Sequence, residues 1–208
     1  SQFIGELADY VKRKQIDIEI ISSSSQVDLE APKYGLQPIS LSSRSDPDVV
    51  FDSADEVDEQ FNLLKGGGAA LLREKVLHHA GRKTVILIEE DKMVSKLGTK
   101  HPLPIEVLPF ALPVVKRDIE NKLGYKSDVR MSSGKVGPLI TDNGNCILDI
   151  QTGPIEDPVH LDRTLGEIPG VLGTGLFHGL KGVLIIGGEK SAQTMRVDAD
   201  STIESGGR

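Results

Sequence analysis

Residues 51–75 read FDSADEVDEQFNLLKGGGAALLREK. Acids crowd the first half, a lysine precedes three glycines, and the segment ends in Ala, Leu and alternating charge. In open α/β sheets ligands sit beyond the carboxyl ends of the strands. DPDVVFDSA reads as a buried strand ending at Asp52, which places Ser53, Ala54, Asp55 and Glu56 in the loop at such an end. Gly66, Gly67 and Gly68 let backbone approach a ligand, and the N–H groups of a following helix favour an anion or a developing oxyanion. Lys65 stands beside that nest, and Glu74 falls about two turns into a helix over 69–81, where it can face the same cavity. A Glu base, a Lys or backbone N–H electrophile and an Asp as second acid or base suit proton abstraction α to a carbonyl.

Each part also has a plainer reading. Three glycines fit a flexible loop, and Glu74 between Arg73 and Lys75 fits a solvated helix face. Asp55, Glu56, Asp58 and Glu59 make a poor metal set, because no His lies close and calcium-loop spacing is missing. The histidines at 78, 79, 101, 160 and 178 show no ligand spacing, and His78-His79 is expected partly buried or at the surface rather than in catalysis. Cys146, the single cysteine, reads as a core or strand residue, since nothing near it in sequence would activate a thiolate. IIGGEK near 185–190 is too weak for a dinucleotide fingerprint.

The elements that must position these residues alternate along the first half. The sequence predicts a helix over 2–14, with Phe3, Ile4, Leu7 and Val11 on one face, then a strand over 17–22 and a short helix over 25–34. A strand near 37–42, the strand ending at Asp52, the 69–81 helix and the strand KTVILIEE follow. Short apolar strands between helices indicate a parallel sheet with covered faces. From about residue 104 the rhythm becomes strand PIEVLPF, helix ALPVVKRDIENKLG, strand YKSDVRMS, hairpin PLITDNGNCILDI, helix DPVHLDRTLGEI and strand GVLGTGLF. That β-α-β-β-α-β order is the ferredoxin-like split βαβ. The expected hairpin turn is Asp142-Asn143-Gly144, and Asp157 with Pro158 should open the second helix. GVLIIGG then returns to the first sheet. The expected fold class is α/β, a Rossmann-like mostly parallel sheet with an inserted small ferredoxin-like α+β lid domain. Its domains are 1–103 plus 179–208, and 104–178. The tail DADSTIESGGR is expected to fray.

Composition bounds the partners. The 208 residues carry 24 basic and 31 acidic side chains, a net charge of −7. That balance disfavours nucleic acid, which needs a basic face, but leaves room for a local basic pocket. Aromatics make up 4% with no Trp, so base-stacking platforms are not expected. No run approaches the roughly 18 apolar residues of a membrane span. One cysteine fits a reducing, cytoplasmic setting.

The composite pattern is more specific than its parts. DSADEVDEQFNLLKGGGAALLREK, KLGTKHPLPIEVLPFA, TDNGNCILDI and IPGVLGTGLF, in that order over about 50–178, resemble the type A ribose-5-phosphate isomerases. The resemblance implies a Rossmann-like domain carrying a small α+β lid, in a homo-oligomer (dimer or tetramer). It implies interconversion of ribose 5-phosphate and ribulose 5-phosphate without metal or organic cofactor. It assigns Glu74 as the proton-transferring base, Asp52 and Asp55 to the sugar, and Lys65, Gly66, Gly67 and Gly68 to substrate oxygens. Lys100, just before the PLPIEV block, is the expected further substrate contact, with Ser53 and Ala54 in the same binding loop.

Two departures stand out. Ser53 occupies a position where the family usually has Gly, which matters if φ there is positive. The family's GTGST-like phosphate turn is not found ahead of the first helix, and SSSS at 22–25 is the nearest source of hydroxyls, or simply a polar loop. The alternative these departures raise is a catalytically silent member acting as a binding or structural subunit.

Overall fold

The computed structural model describes residues 2–134, 136–188, 191–197 and 204–205. Its central sheet joins β1 (Val50–Asp52), β4 (Thr84–Glu89), β10 (Gly182–Gly187), β11 (Ala192–Val197) and β12 (Glu204–Ser205) in that order. The pairs β1–β4 and β4–β10 are parallel, whereas β10–β11 and β11–β12 are antiparallel. The sheet is therefore mixed, not mostly parallel as expected. β11 pairs with β10 as its antiparallel neighbour, and such a pair needs no crossover helix. The apolar run TVILIE buries on both faces, and α3 (Leu71–Ala80) packs against β1.

Two predicted strands at the start do not form. Segments 17–22 and 37–42 meet in a single parallel bridge, Ile20 to Pro38, with the Ile39 N–H donating to the Ile20 carbonyl at 2.8 Å. Pro38 has no N–H to extend a ladder. The helix α1 (Gln2–Lys14) forms, with Ile4 and Ala8 as its buried face, and packs on the turn Ala31–Tyr34 that follows α2 (Ser25–Glu30). Phe3 is exposed and lies against Phe51 instead. Of the tail expected to fray, Glu204–Ser205 pairs with β11; 198–203 and 206–208, like 189–190 of IIGGEK, lie outside the described residues.

A second sheet holds β6 (Lys126–Val129), β7 (Cys146–Gln151), β5 (Leu103–Val107) and β8 (Val171–Thr174) in that order, every pair antiparallel. The helices α4 (Leu112–Asp118) and α5 (Pro158–Gly166) connect its strands in the chain order β5-α4-β6-β7-α5-β8. Gly124, at φ +76°, ends the helical turns after α4. Asp157 caps α5 by accepting from the His160 N–H at 2.9 Å, with Pro158 in the first turn. The 142–144 turn forms as expected, with the Gly144 N–H on the Thr141 carbonyl and Gly144 at φ +80°. The segment before it makes isolated bridges rather than a strand. Cys146 is buried.

A small third sheet, β2 (Glu56–Val57), β3 (Leu63–Leu64) and β9 (Leu176–Phe177), ties the site loop to the rest. Both apolar cores reach it: Leu64 and Leu176 belong to the core of the four-stranded sheet, Val57, Leu63 and Phe177 to that of the central sheet.

Candidate active site

Asp52 ends β1, Lys65 follows β3 and Glu74 lies in the first turn of α3, so three elements converge on one cluster. The helix begins at Leu71, later than expected, which leaves Glu74 one turn in rather than two. There the positive end of the helix dipole favours its carboxylate. Lys65 Nζ sits 2.8 Å from Asp52 Oδ1 and 3.2 Å from Glu74 Oε2, and also donates to the Ser53 carbonyl. The lysine side chain is 3% exposed. Its backbone is fixed too, for the Lys65 N–H donates to the Gly175 carbonyl at 2.8 Å. Gly175 separates β8 from β9, and a Cβ there would collide with the Lys65 carbonyl, so the close approach requires glycine.

The two acids on Lys65 differ. Asp52 is hydrogen-bonded on both oxygens, by Lys65 at Oδ1 and by His78 Nε2 at Oδ2, 2.8 Å away. Burial pushes its carboxyl up, but the His78 hydrogen bond and the Lys65 charge outweigh that and hold it below the usual carboxylate range. Glu74 Oε2 is buried, and among the described residues it meets only the Lys65 ammonium, at 3.2 Å. Burial raises its carboxyl, Lys65 opposes and Asp52 adds to the rise, leaving it above its ordinary value. Burial pulls Lys65 down, yet the charges of Asp52 and Glu74 more than reverse this and keep it protonated.

The glycine loop is held from two sides. Asp55 accepts the Gly67 N–H at 2.9 Å, so that N–H is already engaged rather than open to a ligand. A Cβ on Gly67 would press on the same carboxylate. Gly66, at φ +110°, has Leu71 and Pro104 packed where a side chain would go, while Gly68 faces open space. Arg130, ion-paired to Asp149, donates through Nη1 to the carbonyls of Gly66 (2.7 Å) and Gly67 (3.0 Å). Those carbonyls therefore face the second sheet. Among the described residues nothing accepts from the N–H groups of Gly66 and Gly68.

Ser53 has ordinary φ, so the serine fits without backbone strain. Ala54 is buried beneath it. Lys100 is not brought to the cluster: its ammonium donates to the Asp91 carbonyl and its N–H to Glu56. Ser24 caps α2 and Ser22 bonds within its own turn, while the Ser25 N–H ties α2 to Asp142. The acids once weighed as a metal set serve loops: Asp58 accepts from the N–H groups of Gln60 and Asn62. Glu56 accepts from four backbone N–H groups at 98–101. Among the described residues no group of three His, Cys, Asp or Glu is arranged to hold a metal ion.

A buried cation between a satisfied and an under-satisfied carboxylate, beside free glycine N–H groups, is equipment for moving a proton next to a developing oxyanion. The family model for ribose 5-phosphate isomerase A (phosphoriboisomerase A) matches residues 19–191. The chain belongs to the ribose 5-phosphate isomerase A family. The Trichodesmium erythraeum isomerase is 44% identical over 186 residues, 89% of this chain and 77% of the relative. The Methanothermobacter thermautotrophicus isomerase is 38% identical over 93% of this chain and 84% of its own length. The solved Methanocaldococcus jannaschii isomerase superposes with a TM-score of 0.88 at 35% identity, over 94% of this chain and 85% of its own. Another solved isomerase, in complex with phospho-erythronic acid, gives 0.89 at 36% over the same shares. The α/β fold with mixed sheets is thus the family's.

Sequence reasoning missed His78 and Arg130. The signal for His78 was present, since it stands four residues after Glu74 on one helix and so shares its face. Arg130 reaches the glycine loop from 63 residues further along the chain, and nothing local marks it.

Proposed function

We propose that this chain interconverts ribose 5-phosphate and ribulose 5-phosphate, with Glu74 as the base that carries a proton between C2 and C1. On the open-chain aldose, the Glu74 carboxylate takes the C2 proton and the electron pair moves into a C1–C2 double bond, giving a cis-enediolate. Lys65 and the N–H groups of Gly66 and Gly68 stabilise its oxygens. Glu74 returns the proton to C1 while the O2 proton passes to the negatively charged O1, which leaves a hydroxyl on C1 and the ketose carbonyl on C2; the reverse order regenerates the aldose. Asp52, held ionised by His78, and Asp55 contact the sugar and assist ring opening, and Ser53 and Ala54 shape the loop that receives it.

The observation that carries this reading is the under-satisfied, burial-raised Glu74 beside a protonated Lys65. A base whose affinity for protons is raised toward the working pH transfers them more effectively. The cluster's completeness argues against the silent alternative. The sheet order β6-β7-β5-β8 supports a ferredoxin-like lid over 104–178 on a Rossmann-like domain of 1–103 plus 179–208. We extend the proposal to a cytoplasmic homo-oligomer, a dimer or tetramer. The direct test is incubation of the folded chain with ribose 5-phosphate. Ribulose 5-phosphate should accumulate to equilibrium, and its absence would overturn the assignment.

A further inference from the structure

A second cavity, of about 400 Å³, is lined by Lys75, His79, Arg82, Asp162, His178 and Lys181. It lies beside the amino ends of β4 and β10, next to the reaction centre rather than within it. Thr84, which opens β4, is on its wall, and Lys181 immediately precedes β10; these strands run parallel, so the cavity is at their amino ends. Asp52 closes the short β1 and pairs with Ile86, two residues beyond Thr84 along β4.

Its lining carries the cations Lys75, Arg82 and Lys181, in a chain of net charge −7. Two of them are matched by carboxylates, and Lys181 alone has no acidic partner among the described residues. Asp162 is already divided, with Oδ1 taken by Lys75 (3.3 Å) and the Thr174 hydroxyl, and Oδ2 by His178 (2.9 Å). Arg82 is held by Asp46 and Asp48. Lys181 and His79 have no polar partner among the described residues, nor do the N–H groups of Gly179 and Leu180, which also line the cavity. Concave sites with unneutralised donors of one sign select anions.

The cavity also shares walls with the reaction centre. His78 lines it and reaches across to Asp52 Oδ2, with its other nitrogen 3.1 Å from the Thr84 hydroxyl. Phe177 lines it too, and its ring centroid is 5.1 Å from Lys75 Nζ and 5.6 Å from Lys65 Nζ. One aromatic ring thus meets a lysine of the cavity and the lysine between Asp52 and Glu74.

We propose that this cavity is a second binding site, for a small phosphate-bearing anion, with Lys181 and His79 as its open donors. Its occupancy is felt at the reaction centre through His78 and Phe177. A ligand that displaces the His78 ring alters a hydrogen bond on Asp52, and one that draws Lys75 from the Phe177 ring alters the ring that Lys65 rests on. The cavity itself does not depend on the isomerase reading; the coupling, and the blocking of the reaction centre in the test, rest on it.

The test is calorimetric titration at neutral pH with the reaction centre first filled by phospho-erythronic acid. Inorganic phosphate is the probe in one arm and glycerol 3-phosphate in the other, which separates the free ion from a monoester. A further equivalent of at least one probe should bind. Lys181→Glu should weaken it by about tenfold or more, the loss expected when a charge-assisted contact is removed. His79→Gln should weaken it as well, and carries the test if Lys181→Glu does not fold. Both variants should keep their melting temperature and, without phosphate, their turnover. In the wild-type chain the bound anion should shift the affinity for phospho-erythronic acid, and by linkage the shift must be equal in the reverse direction. No binding of either probe once the reaction centre is filled, or equal affinity in folded Lys181→Glu and His79→Gln, overturns the site. Binding without any shift overturns the coupling. Because binding is read without turnover, failure here is distinct from failure of the isomerase assay.

Discussion

Glu56 and Glu74 are both buried glutamates near one loop, and their surroundings are opposite. Glu56 is 0% exposed and each oxygen accepts two backbone N–H groups, from Gly98 and Thr99 on Oε2 and from Lys100 and His101 on Oε1. Glu74 keeps a little solvent contact and has the Lys65 ammonium, at 3.2 Å from one oxygen, as its one polar partner among the described residues. A buried carboxylate with every lone pair occupied is a fixed part of a scaffold, for any change of protonation strands several donors at once. A carboxylate left short of partners takes and gives a proton with little else disturbed. Glu106 stands between them: Oε1 accepts from Thr141, Asn143 and Asn145 while Oε2 is buried without a partner. That cluster braces the 141–145 turn, on which Asn143 holds Arg73 beside Glu74.

Exchanging each acid for its amide is the strongest way to break the comparison. Glu74→Gln should lower kcat by about 10²- to 10⁴-fold, the usual worth of a general base, while Glu56→Gln keeps kcat within about tenfold of the parent. Equal losses in the two would erase the distinction. Next in size is Lys65→Met, which leaves Asp52 and Glu74 buried without a cation. Urea denaturation should show a loss of about 3–5 kcal/mol; an unchanged midpoint would mean that the acids do not need Lys65. For Glu56→Gln the same measurement should show a smaller loss of about 2–3 kcal/mol, since the amide NH₂ faces N–H groups that lose their acceptor. Glu74→Gln should cost little or nothing there. The smallest effect is at the loop joining the two regions, where Ala69 has φ +61°. Ala69→Gly relieves a left-handed alanine against a glycine's greater chain entropy, for a net gain of about 0.5 kcal/mol. A loss in melting temperature would show that the Ala69 methyl contributes more than its backbone costs.

The sequence made the Asp52–Lys65–Glu74 grouping legible because strand end, glycine loop and helix follow one another along the chain. Distant partners were not. The donors on Glu56 come from 42 to 45 residues away, so the acid looked like one more charge in a crowded run. His78 was visible in principle, but a His-His pair in a polar helix carries no sign of the Asp52 carboxylate it meets. Predicted strands at 17–22 and 37–42 failed at a proline whose missing N–H could have been weighed. The β-α-β-β-α-β succession, with its capped helix and Asn-Gly turn, was readable because caps and turns are local chemistry. Lys100 was assigned by its place before PLPIEV, and its side chain goes to Asp91.

The pH dependence of kcat/KM tests the central claim, that burial sets Glu74 apart as the base, most directly. In the folded chain Glu74 holds its proton to higher pH than the unfolded chain does. Stability attributable to this group is therefore lost as pH rises from its ordinary 4.5 through the raised value, and the active carboxylate is gained over the same window. The acidic limb of kcat/KM should then lie above 4.5, and it should move higher still in Lys65→Met, where the opposing positive charge is gone. The limb should vanish from the residual activity of Glu74→Gln. A limb at or below the ordinary value, or one that persists unchanged in Glu74→Gln, would contradict the account.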